Sequence, residues 1–343
     1  MRKKGFTLVE LLVVIAIIAL LMGILMPALA RVRMIAYRMI CGTNLSGIGK
    51  AILLYAGDSK EEYPMSGCNK AATLAPGGSV SQWADVPALV GPPAVFNCGS
   101  TGGGGTATIG SVFYLLVRYE DTSVKQFNCK GDVGVKTFKL TDFPQTQYAH
   151  CTDLTKAYDF GTKPGNYNSY SYQNPFQTNA ANGSANRGPN ANSPPSMPMA
   201  ADRNPTLDRN VNYIESAGAL GGQVPPGSIE RTPNQDWTTN GNEYKDKDIV
   251  YNSFAHQREG QNILFADGHV TFSKTANVGI DNDNIWQQWP AATLTSGTAA
   301  KKEREAGGRF PRYANTGGYQ SPYTQTDPLS ITDSLLISEV SVP

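Results

Sequence analysis

Residues 1–30, MRKKGFTLVELLVVIAIIALLMGILMPALA, decide how the rest of this 343-residue chain is read. From Leu11 to Ala30 there are twenty consecutive residues without a charge. At about 1.5 Å of rise per residue the run makes roughly 30 Å of helix, the thickness of a bilayer's hydrocarbon core. A secretory signal peptide shares the basic leader and the apolar run, but its apolar core is about 7–15 residues long and ends at a small-residue cleavage site. Here the run is longer, and the glycine at a charge boundary, Gly5, precedes it. Cleavage after Gly5 leaves the whole helix on the mature chain. Arg2, Lys3 and Lys4 hold that end in the cytoplasm under the positive-inside bias, which places the remainder on the far side of the membrane.

Glu10 is the exception within this apolar segment. An ionisable group inside a membrane helix is costly unless it is paired or reaches the interface. Two readings stay open. Glu10 sits in the head-group layer, where a negative charge suits the helix N-terminus. Alternatively, a cut after Gly5 creates an amine at Phe6, one turn away, and Glu10 pairs with that amine or with a neighbouring subunit's. Pro27 removes one backbone donor and crowds the preceding turn, which predicts a kink or local melting over Gly23–Pro27.

Beyond the apolar run, Met34, Tyr37, Cys41, Leu45, Ile48, Ile52 and Tyr55 recur at steps of three and four. They predict one apolar stripe on a continuing helix, with Arg31, Arg33, Arg38 and Lys50 largely off it. Such a stripe needs a sheet to pack on. Gly42, Gly47 and Gly49 weaken the helix, and Gly57-Asp58 is the expected stop, at a residue that tolerates positive φ. Gly47-Ile48-Gly49-Lys50 is no phosphate loop, because no strand precedes it and the other Walker positions are missing.

The segment KGFTLVELLVVIAIIALL resembles the N-terminal signature of type IV prepilins and type II secretion pseudopilins. The resemblance implies cleavage between Gly5 and Phe6 by prepilin peptidase, N-methylation of Phe6 and an assembly role for Glu10. It also implies an inner-membrane, single-pass protein with a periplasmic head that joins other pilin or pseudopilin subunits in a filament at the cell surface or in the periplasm. Further along, Cys41, Asn44-Leu45, Tyr55, Tyr63-Pro64, Tyr167 to Tyr170, Pro195 to Asp202 and Asp267-Gly268 are similar to a prepilin-type group named for an H-x9-DG motif. This chain has ten residues between His256 and Asp267 where that motif has nine.

These readings give an α+β, pilin-like architecture: a long N-terminal α-helix packed on an antiparallel β-sheet with loop-rich insertions. The expected parts are a leader (1–5), a transmembrane and assembly half of the helix (6–30), an amphipathic half (31–57) and a globular head (58–343). The head carries a polar insertion near 176–198, read as an exposed or disordered loop. The run SVFYLLVRY at 111–119 is too short for periodicity to choose between helix and buried strand. NILFADGHVTF at 262–272 is a hairpin, with Asp267-Gly268 read as a two-residue turn having positive φ at both positions. SITDSLLISEVSV at 330–342 adds a strand or a short helix.

With 29 basic and 28 acidic residues the net charge is +1, and no global field points to nucleic acid. The cysteines are Cys41, Cys68, Cys98, Cys129 and Cys151. Their odd number leaves at least one unpaired in a monomer, and their wide spacing without a CxxC pair disfavours structural zinc. Pairing among the four head cysteines, leaving Cys41 on the stem, is the expectation, although connectivity is not encoded in spacing. No cofactor is expected. Calcium is the candidate ion, from Asp246, Asp248 and the Asp281 to Asn284 run, since alternating oxygen donors suit a hard cation and major pseudopilins, which this chain resembles, often hold calcium late in the head. Neither stretch has the Gly and distal Glu of a helix-loop-helix calcium loop, and a solvated polar turn is the competing reading.

Two functions of other classes compete with the structural one. A membrane-anchored module binding glycans or another ligand would use Trp237, Trp286, Trp289 and the tyrosines, though core packing is the commoner fate of such side chains. A tethered metallo-hydrolase would use His256, Asp267 and His269. The three histidines, His150, His256 and His269, come with no GxSxG elbow, so no nucleophile is nominated and the chain is read as a non-enzyme.

Overall fold

The computed structural model describes residues 8–65, 73–74, 106–107, 109–142, 153–157, 159–160, 164–173, 175, 189–204, 214–215, 230–231, 252–286, 334 and 336–337. Helix α1 spans Leu8–Asp58 and passes Pro27 without interruption, so the lost donor does not melt it. Helix α2 spans Ile109–Tyr119, which settles that run as helix; its buried side chains include Val112, Phe113, Tyr114 and Leu116. The strands are β1 (Thr73–Leu74), β2 (Thr106–Ala107), β3 (Tyr170–Gln173), β4 (Pro198–Asp202), β5 (Ile214–Glu215), β6 (Glu230–Arg231), β7 (Gln261–Phe265), β8 (Val270–Ser273) and β9 (Leu336–Ile337). Five of them form one sheet in the order β8-β7-β4-β3-β9, antiparallel at every step. The two short pairs, β1 with β2 and β5 with β6, are parallel.

The fold is the expected α+β, pilin-like arrangement, with α1 lying on β7 and β8. The stripe from Met34 to Tyr55 is the contact: Cys41, Leu45, Ile48 and Ile52 are buried, while Met34, Tyr37 and Tyr55 are half-buried at its margins. Facing them are Phe113, Phe127, Tyr172, Met199, Ala200 and Leu264 in one continuous core. Rings interlock behind it, with Tyr114 and Phe160 centroids 5.0 Å apart and Phe113 and Tyr172 5.3 Å apart. The alternation of the strands feeds a second core: Ala201, Ile263 and Leu336 point away from α1 onto Ile285 and Trp286. Strands β3, β4 and most of β7 are therefore buried on both faces.

Glycine in the stem has a use that helix propensity alone does not reveal. A Cβ on Gly49 would stand 2.6 Å from Leu264 Cδ1, so glycine there lets α1 approach β7. The helix also ends differently from expectation. Gly57 is helical; the left-handed positions are Lys60 (φ +57°) and Glu61 (φ +65°). Glu61 N–H donates to Ala56 O at 2.8 Å and Ser59 N–H to Tyr55 O at 2.9 Å, satisfying carbonyls of the last turn in the manner of a Schellman end.

The hairpin forms, but its turn has three residues. Phe265 N–H donates to His269 O (3.0 Å), Gly268 N–H donates to Phe265 O (2.9 Å), and between Phe265 and His269 only Gly268 has positive φ, +87°. This is the type I turn with a bulge, the commonest three-residue hairpin, in place of the two-residue turn. The polar insertion is also shorter than its composition suggests: by Met197 and Pro198 the chain is buried and entering β4, and residues 176–188 lie outside the described residues. Residues 336–337 take the strand alternative, pairing with β3 through Tyr172↔Ile337 and Gln173↔Leu336.

Gly49→Val should destabilise the protein in detergent by about 1–3 kcal/mol, the range for overpacking a core contact. Combining it with Leu264→Ala should cost less than the two single changes added together, because the truncation makes room for the new side chain. Thermal unfolding of the four proteins checks this, and simple additivity would mean that Gly49 and Leu264 do not meet.

Candidate functional site

Two regions of α1 present chemistry. The first is its N-terminal part, where Leu8 to Leu29 are largely solvent-facing hydrophobics; exposed apolar side chains continue through Val32 and Ile35 to Met39 and Ile40. The helix is long and apolar enough to cross a membrane, and none of its most apolar window is buried by the rest of the chain. Glu10 lies in its first turn. Gly5 and Phe6 fall outside the described residues.

The second region is where α1 meets the head. Cys41 is bonded to Cys129, which follows a 3-10 turn at Val124–Phe127. This overturns the expectation that Cys41 stays unpaired on the stem. Sequence spacing carried no sign of it, since the partners are 88 residues apart and meet only because α1 docks across the sheet. Cys68, Cys98 and Cys151 lie outside the described residues. Beside the sulfurs, His256 Nε2 stands 3.9 Å from Cys129 Sγ and 3.1 Å from Asp202 Oδ2. Asn262 directs both its backbone N–H (2.7 Å) and its side-chain Nδ2 (3.1 Å) to that same Oδ2. Cys41, Cys129, Asp202 and His256 are each 0 % exposed, so this is an interior centre without solvent-facing atoms.

Local structure fixes each member. His256 ends a 3-10 turn, Phe254–His256, capped by Ser253 and followed by left-handed Gln257 (φ +56°). Asn252 closes that segment by donating to the carbonyls of Arg258 (3.0 Å) and Lys274 (2.7 Å). Asp202 ends β4, and Asn262 stands beside it on β7. Asn44, one turn after Cys41, donates to the Tyr170 hydroxyl (3.2 Å) and the Asn128 carbonyl (3.3 Å). Burial pushes the Tyr170 hydroxyl well above its ordinary pKa, with the Asp202 carboxylate adding to the rise and the Asn44 hydrogen bond opposing it. Next to Asp202, the buried Arg203 pairs with Asp132 at 3.2 Å and donates to the carbonyls of Gly165 (2.8 Å) and Asn168.

The motif histidine therefore works with Asp202 and not with the hairpin acid. Asp267 and His269 are hydrogen-bonded to each other at the exposed tip, whereas His256 precedes the opposite end of β7. The His256, Asp267 and His269 cluster of a hydrolase is not assembled. At the tip, the His269 backbone N–H donates to Asp267 Oδ1 (3.1 Å) and, with the His269 side chain, holds the Asp267 carboxyl below its ordinary range. The stabilisation is full above the ordinary carboxylate pKa and is lost as pH falls through the depressed value.

In the calcium candidate, the Asp283 carboxylate accepts from Ser334 N–H (2.8 Å) and Asn284 Oδ1 from Trp286 N–H (3.0 Å). These groups hold the second core together; Asp246, Asp248 and the side chain of Asp281 lie outside the described residues. Trp286 is a core residue, 0 % exposed, and Trp237 and Trp289 fall outside the described residues. Among the described residues, Cys41, Cys129, Asp202 and His256 form a group of metal-ligand type, with donor atoms within 4.8 Å of one another.

Residues 1–26 match the model of the prokaryotic N-terminal methylation motif. The match supports a type IV pilin- or pseudopilin-like signature at the N-terminus. Comparisons with curated proteins and with solved structures return no match. The motif and the exposed apolar stem fit a membrane-anchored pilin-like protein. Sequence reasoning had Cys41, Asn44, Tyr170 and the segment ending at Asp202 as separate points of resemblance; in the pilin-like head they converge around His256. It missed Asn262, Arg203 and the Cys129 pairing, and only Asn262, a polar residue in β7 just before the apolar Ile263 to Phe265, left a trace in the pattern.

Peptide mapping under non-reducing conditions should recover Cys41 linked to Cys129, and Cys129→Ser should lower stability by about 2–5 kcal/mol in detergent. Recovery of Cys129 linked to another cysteine would contradict the docking described here. In an NMR pH titration, Asp267 should show a midpoint below that of aspartates in peptides, and His269→Ala should move it upward without restoring it fully, because the backbone donor remains.

Proposed function

We propose that this protein is a structural, non-enzymatic subunit of a type IV pilus-like or type II secretion pseudopilus filament. Prepilin peptidase cuts between Gly5 and Phe6, the new Phe6 amine is methylated, and the mature chain waits in the inner membrane with its head in the periplasm. Assembly moves the stem from lipid into a bundle of other stems. The observation that carries this reading is the division of α1 into an apolar exposed half and a half sewn into the head. An exposed apolar surface of that length needs lipid or like surfaces around it. The continuous helix through Pro27 supports a stem that transmits position from membrane to head.

In this reading Glu10 carries the registration between subunits. Within the bundle a carboxylate near the helix start is stabilised by a neighbour's Phe6 amine, and a subunit out of register leaves both charges unpaired. The partners are prepilin peptidase, sibling subunits and the inner membrane.

Gly5→Val should abolish processing, leaving the five-residue leader visible in the intact mass. Glu10→Leu should be processed and inserted normally yet assemble poorly; electron microscopy of sheared surface material, together with membrane fractionation, separates the two steps. Filaments of wild-type abundance from the Glu10 variant would remove that residue from the mechanism.

A further inference from the structure

The interior centre at the stem–head junction has the donor set of a metal site as well as of a disulfide. Two sulfurs, an imidazole nitrogen and a carboxylate oxygen lie within 4.8 Å of one another and come from four separate segments of chain. His256 Nε2 is already 3.9 Å from Cys129 Sγ and 3.1 Å from Asp202 Oδ2. Donors held at roughly 2.0–2.3 Å from a tetrahedral ion stand about 3.3–3.8 Å apart, so the His256 nitrogen and the Cys129 sulfur are near ligand spacing and chiefly the sulfurs need to separate. Asn262 fixes Asp202 through Oδ2, the outer-shell support that ligating carboxylates usually have. The other oxygen, Asp202 Oδ1, is buried and has no hydrogen-bond partner among the described residues. A buried acceptor of that kind is costly, and a cation satisfies it. Gly131 leaves room for the ring, since a Cβ there would stand 2.1 Å from Ala255 O and 3.2 Å from His256 Nδ1.

We propose that the reduced protein binds one zinc-class divalent ion through Cys41, Cys129, His256 and Asp202, and that this ion and the Cys41–Cys129 disulfide are alternative fasteners of the stem to the head. Two thiolates and an imidazole select a borderline-soft ion over calcium or magnesium. The balance is simple. A dithiol reductant delivers two electrons and two protons to the disulfide, giving two thiols and its own disulfide; the ion then displaces the two thiol protons to the solvent. In the reverse direction, a disulfide oxidant removes two electrons as the sulfur–sulfur bond forms, and the ion leaves because its two thiolate ligands are gone. A newly made chain, whose cysteines are still thiols, is able to close its head on the ion before oxidation. This inference is independent of the filament reading.

The test uses the full chain in detergent, reduced with a phosphine under anaerobic conditions and titrated with Co²⁺. The expected result is one equivalent of binding with thiolate-to-cobalt charge transfer and a tetrahedral ligand-field spectrum. In parallel, alkylation mapped by mass spectrometry should show Cys41 and Cys129 of the reduced protein reacting at least tenfold more slowly with the ion than without it. The oxidised protein should give no such spectrum, and His256→Gln should weaken Co²⁺ binding at least tenfold. Absence of the charge-transfer band from the reduced wild-type chain would overturn the proposal. So would a band that appears while Cys41 and Cys129 stay open to alkylation. The mapping uses the unmutated protein, so misfolding of the His256 variant does not blunt the test.

Discussion

The structure depends on one helix meeting two solvents. From Leu11 to Ala30, α1 offers uncharged, largely hydrophobic side chains on all sides, which suits a medium without water. From Met34 onward it offers one stripe, which suits a sheet. Burial of Leu45, Ile48 and Ile52 against Leu264 and the α2 aromatics is what gives the head its core, because the sheet's near face has no other long element to cover it among the described residues. At about 1.5–3 kcal/mol for each large apolar side chain removed from water, these three contribute on the order of 5–9 kcal/mol before entropy is counted. That is comparable with the net stability of a whole domain. A head separated from its stem would therefore lose one wall of its main core.

The centre around His256 adds direction to that adhesion. Hydrophobic contact between a helix and a sheet tolerates sliding, whereas the Cys41–Cys129 bond and the hydrogen bonds from Asn44 to Tyr170 and Asn128 permit one placement. Asp202 is engaged from two sides at once, by His256 from one loop and by Asn262 from β7, so the loop carrying His256, the sheet and α1 share a single reference point. Arg203 and Asp132 extend the network toward the loop preceding β3 through the carbonyls of Gly165 and Asn168.

How much of this could be read from the sequence follows the range of the forces involved. The stem stripe, the hairpin and the membrane run are local periodicities, and each one stands where the pattern put it. Errors gathered where the outcome depended on backbone detail or on distant partners. Gly57 looked like the helix stop, yet the left-handed position fell at Lys60, because the cap is set by which carbonyls remain to be satisfied. Asp267-Gly268 looked like a two-residue turn, and one extra loop residue changed its type. The partners of His256 and Cys41 were out of reach, since Asp202 and Cys129 are brought in only by strand order and helix docking. The glycine at 49 was visible as a weakness in the helix, and its purpose appeared only once Leu264 was placed opposite.

Strand order also sets a sequence of events. The sheet runs β8-β7-β4-β3-β9, so the edge beyond β3 is closed by residues 336–337, which follow every other strand of this sheet in the chain, while the opposite edge rests on the stem that precedes them all. Ribosomal synthesis delivers the anchor early and this last strand late. Until β9 arrives, β3 keeps an open edge, the state in which β-proteins are most prone to pair with the wrong neighbour. Such long-range closure is slow compared with helix formation. The closing strand is therefore the step at which this sheet has the most to lose to mispairing.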